Sequence, residues 1–159
     1  MAKARPIPGF AEAESFGAAA ALAVAVRAEE VFEHRDGVLD TTDIERVHDM
    51  RVATRRLRAA LEIFAVCFPR KHHRRLLKEV KALADSLGER RDRDVAIAAL
   101  EDAARSLTAI ERPGLRRLAD DLREEQRAAN EALAAKLDEI DAADLRGRLR
   151  ALSAGTPAA

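Results

Sequence analysis

Apolar side chains recur at the spacing of an α-helix in four stretches of the chain, and glycine or proline separates one stretch from the next. The first stretch predicts a helix over residues 11–35, closed by a glycine soon afterwards. The second predicts a helix over residues 42–68, because Thr42 and Glu45 form a capping-box pattern and Pro69 forbids continuation. Two long helices therefore account for the first part of the chain.

The second part of the chain contains two further helical stretches. The third begins near Arg70 and reaches Gly88, where the helix would end or bend before residues 94–107 continue it, and we expect a kink rather than a long loop. The fourth begins at Pro113, a residue suited to a first helical turn, and continues as a narrow apolar stripe to about Ile140. This stripe predicts that the fourth helix packs along one seam only.

Short connections between long helices favour antiparallel neighbours. We therefore expect an all-α fold, an antiparallel up-and-down four-helix bundle with long helices. The bundle is assigned to residues 11–150. Residues 1–10 are expected to form a flexible N-terminus, and residues 151–159 a flexible tail or the start of a linker.

The composition agrees with a single helical domain. Of the 159 residues, 48% are hydrophobic and 35% are charged, which excludes a disordered chain. The single cysteine, Cys67, excludes an internal disulfide and a cysteine-based zinc site, and it fits a reducing compartment. The longest uncharged apolar stretch, residues 17–26, is too short to cross a membrane. We therefore expect a cytoplasmic protein without a membrane partner.

The total charge conceals an uneven distribution along the chain. The 28 basic side chains equal the 28 acidic ones, yet residues 46–81 carry 11 basic side chains against 3 acidic ones, a net charge of +8. Residues 1–45 carry −5 and residues 82–159 carry −3. We expect the acidic flanks to repel anions from the rest of the surface and to leave the positive segment as the binding region.

The second predicted helix carries a row of cationic side chains away from its apolar face. At about 100° per residue, Arg51, Arg55 and Arg58 lie within about 80° of His48, whereas the apolar residues are centred about 150° away. Arg56 lies off this row. The row rises about 15 Å along the helix, so it suits an extended polyanion better than a mononucleotide.

The third predicted helix repeats this arrangement, and its row of Arg74, Lys78 and Lys81 would form the opposite wall of a binding site. Ordinary solvated faces are the alternative explanation for both rows. However, like charges one turn apart cost about 0.2 to 0.5 kcal/mol per pair, and neutralising acids are scarce in this segment. The rows therefore favour an anionic ligand.

Several nucleotide-binding modes lack their sequence features. The chain has no glycine-rich phosphate loop. Aromatic residues make up only 3% of the chain, with no Trp or Tyr. The protein therefore lacks the aromatic side chains on which the bases of a single-stranded nucleic acid would stack. Non-specific binding to duplex phosphates stays open as an alternative, because arginine and lysine on a helix suffice for it.

Two stretches carry a family resemblance: HDMRVATRRLRAALEIF over residues 48–64 and LGERRDRDV over residues 87–95. They resemble the signature motifs of the CHAD family, the conserved-histidine α-helical domain. The resemblance implies a helical bundle whose basic rows face a groove that binds inorganic polyphosphate. It places on the two motifs His48, Arg51, Arg55, Arg56 and Arg58, and then Leu87, Gly88, Arg91, Asp92 and Asp94.

A complete domain of this family resembles two four-helix repeats, each with its own basic helix. Only one such repeat is visible here, over about residues 10–140, and it resembles the N-terminal half. We therefore expect a homodimer that rebuilds the groove across a two-fold axis, or a second CHAD-like repeat as the partner.

His48 has three interpretations. We find no second histidine or carboxylate at helical spacing beside it, and Asp49 points about 100° away, which argues against a metal site. A phosphorylated histidine resembles the dimerisation helices of sensor kinases, but the proline usual in that motif is absent. We favour a hydrogen-bond donor to phosphate. Asp92 and Asp94 are expected to orient arginines or to cap a helix rather than to bind a cation.

No nucleophile lies beside a histidine in the sequence pattern, and no carboxylate pair occupies an apolar setting, so we expect no enzyme activity, no cofactor and no metal. The sequence predicts a protein that binds inorganic polyphosphate through basic helix faces lining a groove. The alternatives are a helical protein–protein interaction or scaffold module and a non-specific binder of nucleic-acid phosphates. The predicted binding residues are His48, Arg51, Arg55, Arg56, Arg58, Arg74, Lys78, Lys81 and Arg91.

Overall fold

The computed structural model describes residues 3–108 and 110–155, and these residues form helices and loops without a strand, which confirms the all-α prediction. This part of the chain has five helices rather than four: α1 (Phe16–Glu33), α2 (Ile44–Ile63), α3 (Arg70–Ser106), α4 (Arg112–Ala142) and α5 (Leu145–Ala154). A short 3₁₀ turn, Ala65–Cys67, follows α2. The antiparallel order of four long helices stays a prediction. Within the described ranges, no helix is both long and apolar enough to cross a membrane.

The start of α2 differs from the predicted capping box. The N-cap is Asp43 rather than Thr42, and its Oδ1 accepts a hydrogen bond from the Glu45 amide at 3.3 Å. The Thr42 hydroxyl donates instead to Oδ1 of Asp40 at 2.7 Å, in the turn before the helix. The capping box fails because an aspartate in the loop binds the threonine that the box requires.

Three further boundaries differ from the prediction. α2 ends at Ile63, five residues before the predicted end at residue 68, and its last turns are replaced by the 3₁₀ turn. α1 begins at Phe16, because Ser15 is its N-cap and accepts a hydrogen bond from the Ala18 amide at 3.1 Å. α3 continues through Gly88 as one helix of 37 residues, so the alternative that the helix ends at this glycine is wrong, whereas the expected kink stays a prediction. A glycine inside a helix costs about 1 kcal/mol, less than the burial of the neighbouring Leu87 contributes.

One apolar core connects the five helices, and α3 contacts both α2 and α4. Most of α4 before residue 130 lies outside this core, as does the end of α3. This α3–α4 hairpin leaves three large apolar side chains exposed, Val95, Ile110 and Leu118. The fully buried leucines of the central helices are Leu57 and Leu61 of α2, Leu83 and Leu87 of α3, and Leu133 and Leu137 of α4.

α5 includes residues 151–154, which we assign above to a flexible tail; residues 156–159 lie outside the described part of the chain. Leu145, Leu149 and Leu152 are buried, and α5 contacts α1 and α3. These leucines are spaced by four and three residues, which is the sequence signal from which α5 could have been predicted. The domain boundaries themselves stay a prediction.

If α5 is part of the cooperative fold, removing one of its core side chains destabilises the whole protein. We expect Leu149→Ala to lower the free energy of unfolding by about 2–5 kcal/mol, because Leu149 is fully buried. Urea unfolding followed by circular dichroism measures this change. The control is Leu118→Ala on α4, whose side chain is 49% exposed and whose removal should change stability by less than about 1 kcal/mol. Equal small effects of both variants would show that α5 unfolds independently.

Glu29 of α1 links the protein's stability to pH. Its carboxylate accepts hydrogen bonds from Arg146 and, at 2.7 Å, from Nε of Arg150, and these bonds lower its pKa from 4.5 to about 2. Because the pKa is lower in the folded state, the ionised carboxylate stabilises the fold above about pH 4.5, and this contribution is lost as the pH falls toward 2. We expect Glu29→Gln to be less stable than wild type at pH 6 and equally stable near pH 2, as measured by urea unfolding. A stability difference that does not change with pH would contradict this linkage.

Candidate functional site

α2 presents its basic row to a groove between α2 and α3. Met50 and Leu57 of α2 are buried, whereas the three arginines of the row lie on the accessible side of the helix. The groove has a volume of about 410 Å³. It is lined by Arg51, Arg55 and Arg58 of α2 and by Ala84, Asp85, Gly88, Glu89 and Asp92 of α3. The structure therefore brings three of the predicted arginines to one surface.

Gly88 is the point at which the backbone of α3 approaches this row. A Cβ at Gly88 would lie 3.9 Å from Nε of Arg51, which is an ordinary contact distance. A larger side chain at this position would occupy the space beside the guanidinium. Glycine therefore keeps the groove open next to Arg51.

The wall formed by α3 is acidic, which the charge distribution along the sequence conceals. Asp85, Glu89 and Asp92 follow the positive segment in sequence, yet α3 places them across from α2. The expectation that neutralising acids are scarce is therefore wrong for the groove. Even so, Arg51 and Arg55 form no ion pair with any side chain that the structure describes. Their guanidinium groups are available to a ligand.

Lys81 is the member of the predicted α3 row that meets the row of α2. Oε1 of Glu62 accepts a hydrogen bond from Nε of Arg58 at 3.1 Å and forms an ion pair with Nζ of Lys81 at 3.0 Å. The bonds from Lys81 and Arg58 hold the pKa of the Glu62 carboxyl below its usual range. One cation of each predicted row thus contacts the same ionised carboxylate.

The rest of the predicted α3 row lies elsewhere. Lys78 lines a second groove together with Lys136 and Glu139 of α4, so its predicted position opposite α2 is wrong. The reason is that α3 packs against both α2 and α4, and Lys78 and Lys81 differ by about 60° around the helix. Arg74 is exposed, and its side chain has no partner within residues 3–108 and 110–155.

Arg91 joins α3 to the beginning of α2. Its Nη1 donates to the carbonyl oxygen of Ile44 at 2.9 Å, and its Nη2 lies 3.4 Å from Oε1 of Glu45. The side chain is only 16% exposed. Arg91 therefore positions the two helices relative to each other, and its contact with a ligand stays a prediction. Arg56 is half-buried and lies off the basic row, as its helical phase predicts.

His48 is half-buried and has two carboxylates nearby. The expectation that no carboxylate lies at helical spacing beside it is wrong, because Glu45 precedes it by three residues. One potential ligand atom from each of Glu45, His48 and Asp49 lies within 4.8 Å of the others. These three side chains could hold a metal ion, but Glu45 already interacts with Arg91. Whether His48 contacts phosphate stays a prediction.

A buried ion pair connects α3 to α4. Nη1 of Arg90 donates to Oδ1 of Asp94, and both side chains are fully buried. Gln126 of α4 donates to the same Asp94 oxygen at 2.7 Å. Asn130 accepts from Nε of Arg90 at 3.2 Å and donates to the carbonyl oxygen of Leu39 at 3.0 Å.

This network confirms that Asp94 orients an arginine, but its alternative role as a helix cap is wrong because α3 continues through it. Arg90 and Asp94 are four residues apart, as are Gln126 and Asn130 of α4. Two polar pairs at this spacing inside otherwise apolar faces are the sequence signal for the network.

Comparison with known proteins gives one finding. The family model described as the CHAD domain matches residues 22–159, which is most of the chain. The matched range contains both stretches that resemble this family's motifs. A search of curated proteins and a search of solved structures found no match.

The buried pair predicts a large difference between two neighbouring aspartates. Asp94→Asn removes the only carboxylate that pairs with buried Arg90 among the described side chains, and we expect the free energy of unfolding to fall by about 3–5 kcal/mol. Asp92→Asn is the control, because Asp92 is exposed in the groove and its loss should cost less than about 1 kcal/mol. Urea unfolding at pH 7 measures both changes. Similar stability of the two variants would show that the buried pair is not needed for the fold.

Proposed function

Since the chain belongs to the CHAD family, we propose that it binds inorganic polyphosphate, without catalysis, along the basic row of α2. One observation on this chain supports the proposal independently of the family match. Arg51 and Arg55 line the same groove, and neither forms an ion pair within the described part of the chain. Permanently charged guanidinium groups without a protein partner are suited to hold phosphate oxygens in bidentate hydrogen bonds.

The shape of the groove supports a single chain of phosphates as the ligand. A polyphosphate chain can follow Arg51, Arg55 and Arg58 along α2, and each arginine then contacts a different phosphate group. A nucleic-acid duplex presents its phosphates on a broad convex surface, which does not fit a groove of about 410 Å³. Duplex binding is therefore the weaker candidate.

The acidic wall supports selection among anions. Asp85, Glu89 and Asp92 repel any anion that approaches the α3 side, so a ligand must stay close to the arginines of α2. A single phosphate gains contact with few arginines and still experiences this repulsion. A long chain gains several contacts at once, which compensates for the repulsion.

The exposed apolar side chains of the α3–α4 hairpin support a partner for this surface. Val95, Ile110 and Leu118 are 50%, 91% and 49% exposed, and contact with a partner would remove their apolar surface from water. We propose that this surface contacts a second copy of the chain or a second CHAD-like repeat. A helical interaction or scaffold function is the second candidate, and it would use the same hairpin without requiring the groove.

Titration of wild type and an Arg51→Ala/Arg55→Ala variant with long-chain polyphosphate, duplex DNA and orthophosphate tests the proposal. We expect wild type to bind polyphosphate most tightly, and we expect its affinity to fall steeply with added salt. The double variant should lose about 10- to 100-fold in affinity, because charge-assisted hydrogen bonds are lost at two sites. Calorimetry at several salt concentrations measures both effects.

The matched control is Arg70→Ala/Lys71→Ala, which removes two exposed cations at the start of α3, outside both the groove and the α3–α4 hairpin tip. It lowers the net charge by the same amount and should leave the affinity within about twofold. Equal losses in the two double variants would mean that only total charge matters. A preference for DNA, or no polyphosphate binding by wild type, would overturn the proposed function and favour the interaction module.

A further inference from the structure

Glu62 lies where the cationic side chains of two helices meet. One oxygen of its carboxylate, Oε1, accepts a hydrogen bond from Nε of Arg58 on α2 at 3.1 Å and lies in an ion pair 3.0 Å from Nζ of Lys81 on α3. The three side chains are between 40% and 42% exposed, so solvent and ligands reach all of them. Glu62 is therefore an accessible anion held between two cations at the edge of the groove.

The contacts of this carboxylate are those that a phosphate group would make. A phosphate oxygen, like a carboxylate oxygen, accepts hydrogen bonds from guanidinium and ammonium groups at about 2.7–2.9 Å. The bonds from Lys81 and Arg58 lower the pKa of Glu62, so its carboxylate is ionised at neutral pH. Arg58 and Lys81 thus share one carboxylate in the unliganded protein, which leaves the three side chains with a net charge of +1, whereas Arg51 and Arg55 form no ion pair among the described residues.

We propose that Glu62 is an intramolecular competitor for phosphate, and that a bound polyphosphate chain displaces its carboxylate from Arg58 and Lys81. This inference rests on the proposed function and concerns the same groove. The unpaired Arg51 and Arg55 bind the chain first. The next phosphate group then competes with Glu62 for the two cations.

Tethering explains why this competition affects the affinity. The Glu62 carboxylate is attached one helical turn from Arg58, so its effective concentration at that guanidinium is high. A free phosphate group displaces it poorly. A phosphate group in a chain already bound at Arg55 is tethered as well. Its effective concentration at Arg58 is therefore also high, and it displaces the Glu62 carboxylate more readily than a free phosphate group does. Glu62 therefore lowers the affinity for every ligand that reaches Lys81.

The opposite role for Glu62 makes the opposite prediction. A glutamate that holds Arg58 and Lys81 in the geometry required for binding would be a positioning residue, and its removal would weaken binding. If Glu62 is instead a competitor, its removal increases the affinity for polyphosphate. The sign of the change in affinity therefore distinguishes the two roles.

The experiment compares wild type, Glu62→Gln and Glu29→Gln in titrations with long-chain polyphosphate at pH 7. We expect Glu62→Gln to bind about 3- to 10-fold more tightly, because two exposed ion pairs no longer compete with the ligand. Its affinity should also fall more steeply with salt, since Arg58 and Lys81 now release counterions on binding. Glu29→Gln is the matched control, because Glu29 also bridges two arginines, on α5, and its loss changes the net charge equally. We expect its affinity to stay within about twofold of wild type.

The outcomes separate this inference from the proposed function. If wild type does not bind polyphosphate, the proposed function fails and the inference fails with it. If wild type binds and Glu62→Gln binds equally or more weakly, only the inference is overturned. The same conclusion follows if Glu29→Gln tightens binding as much as Glu62→Gln, since total charge would then explain the gain. Glu62→Ala is measured in parallel, and a gain in both variants at position 62 shows that loss of the carboxylate is the cause.

Discussion

Leu57 and Leu61 of α2 are buried in the same core as Leu83 and Leu87 of α3, and this shared burial fixes the rotation of each helix about its axis. Once the apolar faces of two neighbouring helices point into one core, the polar residues at their shared edge must lie beside each other. Arg51, Arg55 and Arg58 therefore border a groove, although none of the three forms an ion pair with α3 in the described part of the chain. The position of the site follows from the packing of side chains that do not take part in it.

The continuity of α3 decides what the other wall of this groove contains. Because the helix does not end at Gly88, it carries Asp85, Glu89 and Asp92 along the row of α2. A neutral total charge is then compatible with an anion site, since the positive and negative walls lie on different helices. The arginines of the row also differ in their ion pairing. Arg58 is paired with Glu62, whereas Arg51 and Arg55 have no ion pair within the described residues.

Helical periodicity predicted the features that depend on one helix at a time. The all-α fold, the phase of the α2 row and the outlying position of Arg56 follow from about 100° per residue. The errors arose where two segments interact. The position of Lys78 depends on α4, the acidic wall depends on the packing of α3 against α2, and the cap of α2 depends on Asp40. Two further features could have been predicted from helical spacing. They are α5, from the spacing of its leucines, and the position of Glu45 beside His48, from their separation of three residues.

The Arg90–Asp94 pair illustrates how the protein separates structural charges from accessible ones. A buried ion pair contributes little net stability, because removing both charges from water is costly. Its hydrogen bonds to Gln126 and Asn130, however, are satisfied in only one register of α3 against α4, and Asn130 extends this constraint to the carbonyl of Leu39. Leu39 lies in the loop that leads into α2, so the same network constrains the end of α2 from which the basic row begins. Fully buried charges thus fix the geometry, and Arg51 and Arg55, which form no ion pair among the described residues, are available to a ligand.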